Sequence, residues 1–166
     1  NVASIGLSAE LAQELTAERK KRFGKLAYAI TALKVLARAR PFSATIVTKD
    51  GEQRVKTMQI AVGNGRYYGG GNAVHEDADI DDGHLDLYSL ELKEVWKLAL
   101  MARSFRAGQH GMWNEVRTDK CVAFEVRTRK PRAVNMDGEI LTQTPVTFSI
   151  RPGALRIFSP VKAQPS

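Results

Sequence analysis

Residues 42–62 read FSATIVTKDGEQRVKTMQIAV. Apolar and polar side chains alternate through most of this stretch, which is the period of a half-buried β-strand and not of a helix. Residues 44–48 and 55–62 are expected to form the two arms of a hairpin. Lys49-Asp50-Gly51-Glu52 is expected to join them, with Asp50-Gly51 suited to a tight primed turn. The same strand character returns over residues 85–90, 116–128, 133–136, 146–150 and 154–158, and Asp137-Gly138 reads as a second turn. About eight or more short strands divided by turn signals predict a mainly β fold, a β-sandwich or distorted barrel.

Two segments carry the helical period instead. Over residues 15–39, Phe23, Leu26, Ala27, Ile30, Leu33 and Ala37 recur at three- and four-residue spacing and line one face. Thr16 is the expected N-cap, and Pro41 stops the helix because the residue before a proline is pushed out of the α region. Residues 91–103, ELKEVWKLALMAR, place Leu92, Val95, Trp96, Ala99 and Leu100 on one face of a second helix.

The chain has 166 residues, enough for one domain with a substantial core, and 43% of them are apolar and 26% charged, as in ordinary globular proteins. No apolar run approaches the roughly 18 residues that span a bilayer, and no signal peptide is visible, so a cytoplasmic location is expected. The first residue is Asn and not Met, as expected of a chain processed or cut from a longer one. Cys121 is the sole cysteine, which excludes an internal disulfide and a cysteine-based zinc site; its apolar neighbours Val122, Ala123 and Phe124 predict a buried thiol.

The net charge of +7 is concentrated. Residues 17–40 hold Arg19, Lys20, Lys21, Arg22, Lys25, Lys34, Arg38 and Arg40 against Glu18, so the rest of the chain is close to neutral. Such a helix is either a solvated basic face or a surface for anionic lipid headgroups, where each clustered Lys or Arg gains about 1 kcal/mol. Nucleic acid is not the expected polyanion. The aromatics here, Phe23 and Tyr28, fall on or near the apolar face, and no RNA-recognition motif is present.

Charge inverts between Glu76 and Asp86, where six acids stand with no Lys or Arg among them. Before them come Gly63-Asn64-Gly65-Arg66 and Gly69-Gly70-Gly71, which can present backbone N–H groups to an anion, shape a cleft wall, or form a plain bulged connection. No Gly-Lys-Ser/Thr follows, and the Rossmann spacing is absent. An EF-hand starting at Asp77 would need Gly sixth and Glu twelfth, and those positions hold Asp82 and Tyr88. A non-EF site for a hard cation and a solvated turn both remain open. His75, His84 and His110 lack ligand spacing for zinc. Asp137-Gly138-Glu139 is either an ordinary hairpin turn or a mount for a carboxylate that takes a proton from a hydroxyl.

Read in order, the segments Asn1-Val-Ala-Ser-Ile-Gly-Leu7, Gly24-Lys-Leu-Ala-Tyr28, the glycine loop from Val62 to Gly71, the acidic turn from Asp77 to Asp86 and Asn135-Met-Asp-Gly-Glu139 resemble the C-terminal half of the bacterial diacylglycerol kinase and sphingosine kinase superfamily of lipid kinases. The resemblance implies that Glu139 is the general base for a lipid hydroxyl. It implies Mg²⁺ held by the Asp82 carboxylate and by the backbone carbonyls of Asp79 and His84, and a substrate cleft walled by Asn64, Arg66, Gly69 and Gly70. ATP would be the co-substrate, bound mainly by an N-terminal domain, since the family's Gly-Gly-Asp-Gly-Thr motif does not occur in these residues. The expected partners are a lipid substrate, a membrane surface met peripherally, and that ATP-binding domain. A homodimer is compatible with the family. NAD kinases share the architecture, but they do not usually carry this acidic turn with a following Asp-Gly-Glu. The alternative from another class is a non-catalytic β module that binds anionic membrane or another polyanion through residues 17–40.

Overall fold

The computed structural model describes residues 2–14, 31, 34–65, 67–68, 72–73, 80–92 and 115–155. In chain order the elements are β1 (Val2–Gly6), α1 (Leu7–Glu14), β2 (Phe42–Thr48), β3 (Gly51–Thr57), β4 (Gln59–Gly63), β5 (Tyr67–Tyr68), β6 (Asn72–Ala73) and β7 (Leu85–Leu90), then β8 (Val116–Cys121), β9 (Ala123–Thr128), β10 (Ala133–Met136), β11 (Glu139–Gln143) and β12 (Val146–Ser149). A six-stranded sheet runs β11-β10-β1-β4-β7-β8, a four-stranded sheet runs β12-β9-β2-β3, and β5 and β6 pair alone. Every pairing is antiparallel. Each of the two main sheets ends in two edge strands, so the expected β architecture is a sandwich and not a closed barrel.

The core lies between those sheets. Ile5, Ile46, Ile60, Leu87, Phe124, Val126 and Val134 are almost fully buried there, and the Cys121 thiol is among them, as its apolar neighbours predicted. The six-stranded sheet is also buried on its second face, where Met58, Ala61, Tyr88, Leu90 and Leu92 form another cluster. Every residue of β4 and β7 is therefore buried. The outer surface of the four-stranded sheet is polar instead. There the Arg127 guanidinium, 2.7 Å from the Glu125 carboxylate, holds that carboxyl below its ordinary range.

Several elements differ from the sequence reading. The strand expected over residues 55–62 belongs to two strands, β3 in one sheet and β4 in the other, and the chain crosses between them at Met58. The crossing is fixed by the Met58 N–H donating to the Leu90 carbonyl at 2.8 Å and by the Thr57 hydroxyl donating to the same carbonyl at 2.9 Å. The strand expected over 116–128 likewise splits at Val122 into β8 and β9, which lie in opposite sheets. Strands that switch sheets at such corners make the ends of a sandwich.

The first hairpin turns one residue earlier than expected, since Thr48 pairs with Gly51 across Lys49-Asp50. A primed turn needs positive φ at both central residues. Among the described residues Asp137 is the one non-glycine with positive φ, and the left-handed residue here is Gly51 at φ 134°. The connection is thus an unprimed turn followed by a glycine. α1, β1 and β11 carried no clear period and emerge from the structure. The α1 entry is capped from another element: the Ser8 N–H and hydroxyl donate to Gln59 Oε1 at 3.1 and 2.8 Å.

Of the basic helix expected over residues 15–39, residues 34–38 are helical, and most of the remainder lies outside the described residues. Of the helix expected over 91–103, Glu91 and Leu92 are described and are not helical, and the rest lies outside them. Ala154 and Leu155 are not in a strand, and 156–158 are likewise outside. Among the described residues no helix is long and apolar enough to cross a membrane.

Candidate active-site cleft

The sequence motifs meet at one end of the sandwich. The glycine loop leaves β4 at Gly63 and leans on the acidic turn. The Asn64 side-chain amide donates to the Ile80 carbonyl at 3.3 Å. Gly65 sits at φ 103°, and a Cβ there would stand 2.6 Å from Ile80 Cγ2, so only glycine fits this approach.

The acidic turn is braced by its own groups. Asp82 Oδ1 accepts the His84 backbone N–H at 2.8 Å, and the His84 Nδ1–H donates to the Asp82 carbonyl at 2.8 Å. Gly83 supplies the positive φ between them. The other carboxylate oxygen, Oδ2, faces the Lys120 ammonium at 2.7 Å.

The third motif is a primed turn. Asp137 and Gly138 have φ of 51° and 101°, and Met136 pairs with Glu139 across them. Asx residues tolerate this region better than other non-glycine types. Asp137 is also tied to the start of β1: its Oδ1 accepts the Val2 N–H at 3.0 Å and its own N–H donates to the Val2 carbonyl at 3.2 Å. The frame that presents Glu139 thus hangs on the central part of the larger sheet. One step beyond, the β10–β11 register shifts between Val134 and Asn135, and Leu141 is left as the extra residue of a bulge.

Between the sheets at this end lies a cleft of about 340 Å³. Val2, Val62, Leu85 and Phe148 give it apolar walls, and Asn64 and Asp137 bring polar groups to it. Glu139 does not line the cleft. It opens the edge strand β11 beside it and is exposed, as is the whole strand. Around it Met136, Ile140 and Leu141 are large apolar side chains left in solvent at 38%, 38% and 62% exposure. Beyond them a hollow of about 750 Å³ runs between α1 and β11, spanned by the Arg132–Glu10 ion pair at 3.2 Å.

The structure thus places Asn64 in the cleft and Glu139 beside it, with Asp82 and His84 in the turn that supports the glycine loop. Arg66, Gly69, Gly70 and Asp79 lie outside the described residues. Asp137, Lys120 and the apolar surround of Glu139 escaped the sequence reading. For Asp137 the Asp-Gly pair was a usable signal. Lys120 had none, because its partner is distant in the chain.

Mg²⁺ takes six oxygens in a near-octahedral set. Asp82 fits a hard cation in one respect, since its Oδ2 already draws a positive group, the Lys120 ammonium, to contact distance. Among the described residues no group of three or more metal-ligating side chains occurs, so carbonyls or water would complete such a site.

The family model described as the YegS C-terminal NAD kinase beta sandwich-like domain matches residues 1–159. A Stenotrophomonas maltophilia protein named "Probable lipid kinase YegS-like" is 30% identical over 161 residues, which cover 96% of this chain and 52% of that protein. A Xanthomonas campestris protein of the same name is 30% identical over 162 residues, 97% of this chain and 52% of the relative. A crystal structure from Bacillus anthracis, described as a candidate diacylglycerol kinase, superposes with a TM-score of 0.70 at 24% identity, over 92% of this chain and 50% of that one, and shows the same fold. The chain spans about half the length of these relatives. It belongs to the YegS C-terminal, NAD kinase β-sandwich-like domain family, whose named relatives here are lipid kinases.

Proposed function

We propose that this chain is the lipid-side half of an ATP-dependent kinase that transfers the γ-phosphoryl group of ATP to a hydroxyl of diacylglycerol or a related lipid. The observation that carries this reading is the setting of Glu139. A carboxylate stands at a rigid turn among exposed Met136, Ile140 and Leu141, next to a cleft walled by apolar side chains. Exposed apolar surface around a polar group suits a substrate with a polar head and an apolar body. The names of the relatives support the same class.

In this mechanism the lipid lies along the apolar surface and brings its hydroxyl to Glu139. The carboxylate accepts the hydroxyl proton as the oxygen forms its bond to the γ-phosphorus, and the bond from that phosphorus to the ADP oxygen breaks. The proton then leaves Glu139 for water. Phosphoryl transfer depends mainly on positioning, and the turn at Asp137-Gly138 provides it on this side. Asn64, with Arg66, Gly69 and Gly70, forms the wall of the cleft. ATP is held mainly by an N-terminal domain. A Mg²⁺ at the acidic turn would use the Asp82 carboxylate and the carbonyls of Asp79 and His84 and would order the turn under the glycine loop. No step of the transfer passes through it. The enzyme meets the membrane peripherally through residues 17–40.

The test is Glu139→Gln in the full-length enzyme. The expected result is a fall in kcat of about 10²–10⁴-fold, with the KM for lipid changed little. A folded variant that phosphorylates lipid near the wild-type rate overturns the assignment.

A further inference from the structure

Lys120 leaves β8 directly opposite Asp86, a carboxylate that is only 1% exposed. Residues opposed in an antiparallel pair project from the same face, so the lysine stem starts beside one carboxylate, and its ammonium ends 2.7 Å from another, Asp82 Oδ2. The Lys120 backbone is fixed as well, its N–H donating to Asp119 Oδ1 at 2.8 Å. The Asp82 and Lys120 side chains are 20% and 35% exposed, so the contact is sheltered from water on most sides. On its other oxygen Asp82 holds the His84 N–H, and His84 Nδ1 lies 3.9 Å from that oxygen.

A carboxylate oxygen in contact with an ammonium cannot meet a divalent cation at bonding distance unless the ammonium moves away. The two positive groups would otherwise stand within a few ångströms of each other, at a partly buried site where repulsion is poorly screened. We infer that Lys120 is a resident counter-ion that competes with Mg²⁺ for Asp82, so that a divalent cation binds the acidic turn only by displacing the lysine. This rests on the reading of Asp82 as a metal ligand and gives that site a regulator within the chain. The turn keeps its shape without metal because Lys120 neutralises it, and metal occupancy depends on the position of a side chain on a neighbouring strand.

The experiment uses the full-length protein free of nucleotide, with Mn²⁺ as the probe. Free Mn²⁺ is counted by electron paramagnetic resonance for the wild type, Lys120→Met, Asp82→Asn and the double variant. Lys120→Met keeps the length and apolar character of the stem and removes the charge. It is expected to bind one Mn²⁺ at least about tenfold more tightly than the wild type, the factor that about 1.4 kcal/mol of relieved repulsion gives. The double variant is expected to lose that binding. In metal-free buffer Lys120→Met should also melt a few degrees lower, with millimolar Mg²⁺ restoring the midpoint, as a ligand of the native state does. Equal Mn²⁺ affinity in the wild type and Lys120→Met, with Asp82→Asn abolishing both, overturns the competition and leaves the metal reading standing. Binding that is the same with and without Asp82 in all four proteins overturns the competition and the metal reading together.

Discussion

Asp137 shows how much one residue can hold. It takes a left-handed conformation, φ 51°, and its carboxylate and amide both engage Val2. Replacing it with Ala removes the acceptor and puts a strained residue at positive φ, at a cost of about 1–3 kcal/mol. Asp137→Asn keeps an acceptor and a residue type that tolerates this region. Denaturant titrations of the full-length protein should therefore show a clear loss for Asp137→Ala and a small one for Asp137→Asn. Activity should follow the same order, because Glu139 is two residues away on the same turn. This site was half legible in the sequence. Asp-Gly announces a primed turn wherever it occurs, and residues 137–138 form one while 50–51 do not. What separates them is register, since Thr48 pairs with Gly51 and Met136 pairs with Glu139. Register is set by distant partners, and so is the pairing of Lys120 with Asp82.

At the level of the element, alternation was a sound guide where a strand has one wet face. β2 buries Phe42, Ala44 and Ile46 and leaves Ser43 exposed between them, and its bounds follow from the pattern. The guide failed where both faces are buried. β4 and β7 are buried throughout, so no polar residue marks a boundary and the corner at Met58 is invisible in the chain. β1 and β11 failed for opposite reasons, one being a short, mostly buried strand and the other exposed at every residue. The joint between β1 and α1 is the tightest point among these elements. Gly6 has φ 100°, and a Cβ there would stand 2.3 Å from the Met58 carbonyl oxygen, which also accepts the Leu7 N–H at 3.3 Å. Gly6→Ala combines a forbidden conformation with a backbone clash. It is expected to cost at least about 1–3 kcal/mol. For a domain of this size that is a fall in Tm of at least roughly 2–4 °C per kcal/mol, measured by calorimetry.

Across the whole molecule, charge is divided between the basic segment and a nearly neutral remainder. If residues 17–40 face the membrane, attachment must weaken with salt, because the Debye length falls from about 30 Å at 0.01 M to about 8 Å at 0.15 M. Sedimentation of the full-length protein with phosphatidylserine-containing vesicles is expected to fall steeply over that range. Arg19→Glu, Lys20→Glu and Arg22→Glu together are expected to abolish it. Binding that survives both changes would assign the membrane contact elsewhere, with the apolar surround of Glu139 the next place to look.

The tie between Val2 and Asp137 joins residues 135 positions apart in the chain. β1 lies between β4 and β10, so one side of it can pair early while the other must wait for nearly the whole domain to be made. During synthesis the strand that emerges first is thus among the last to be completed on both edges. Long-range closure of this kind makes folding slow. The frame that presents Glu139 then forms only when the sandwich closes, so a partly made domain would carry the carboxylate without the geometry to use it.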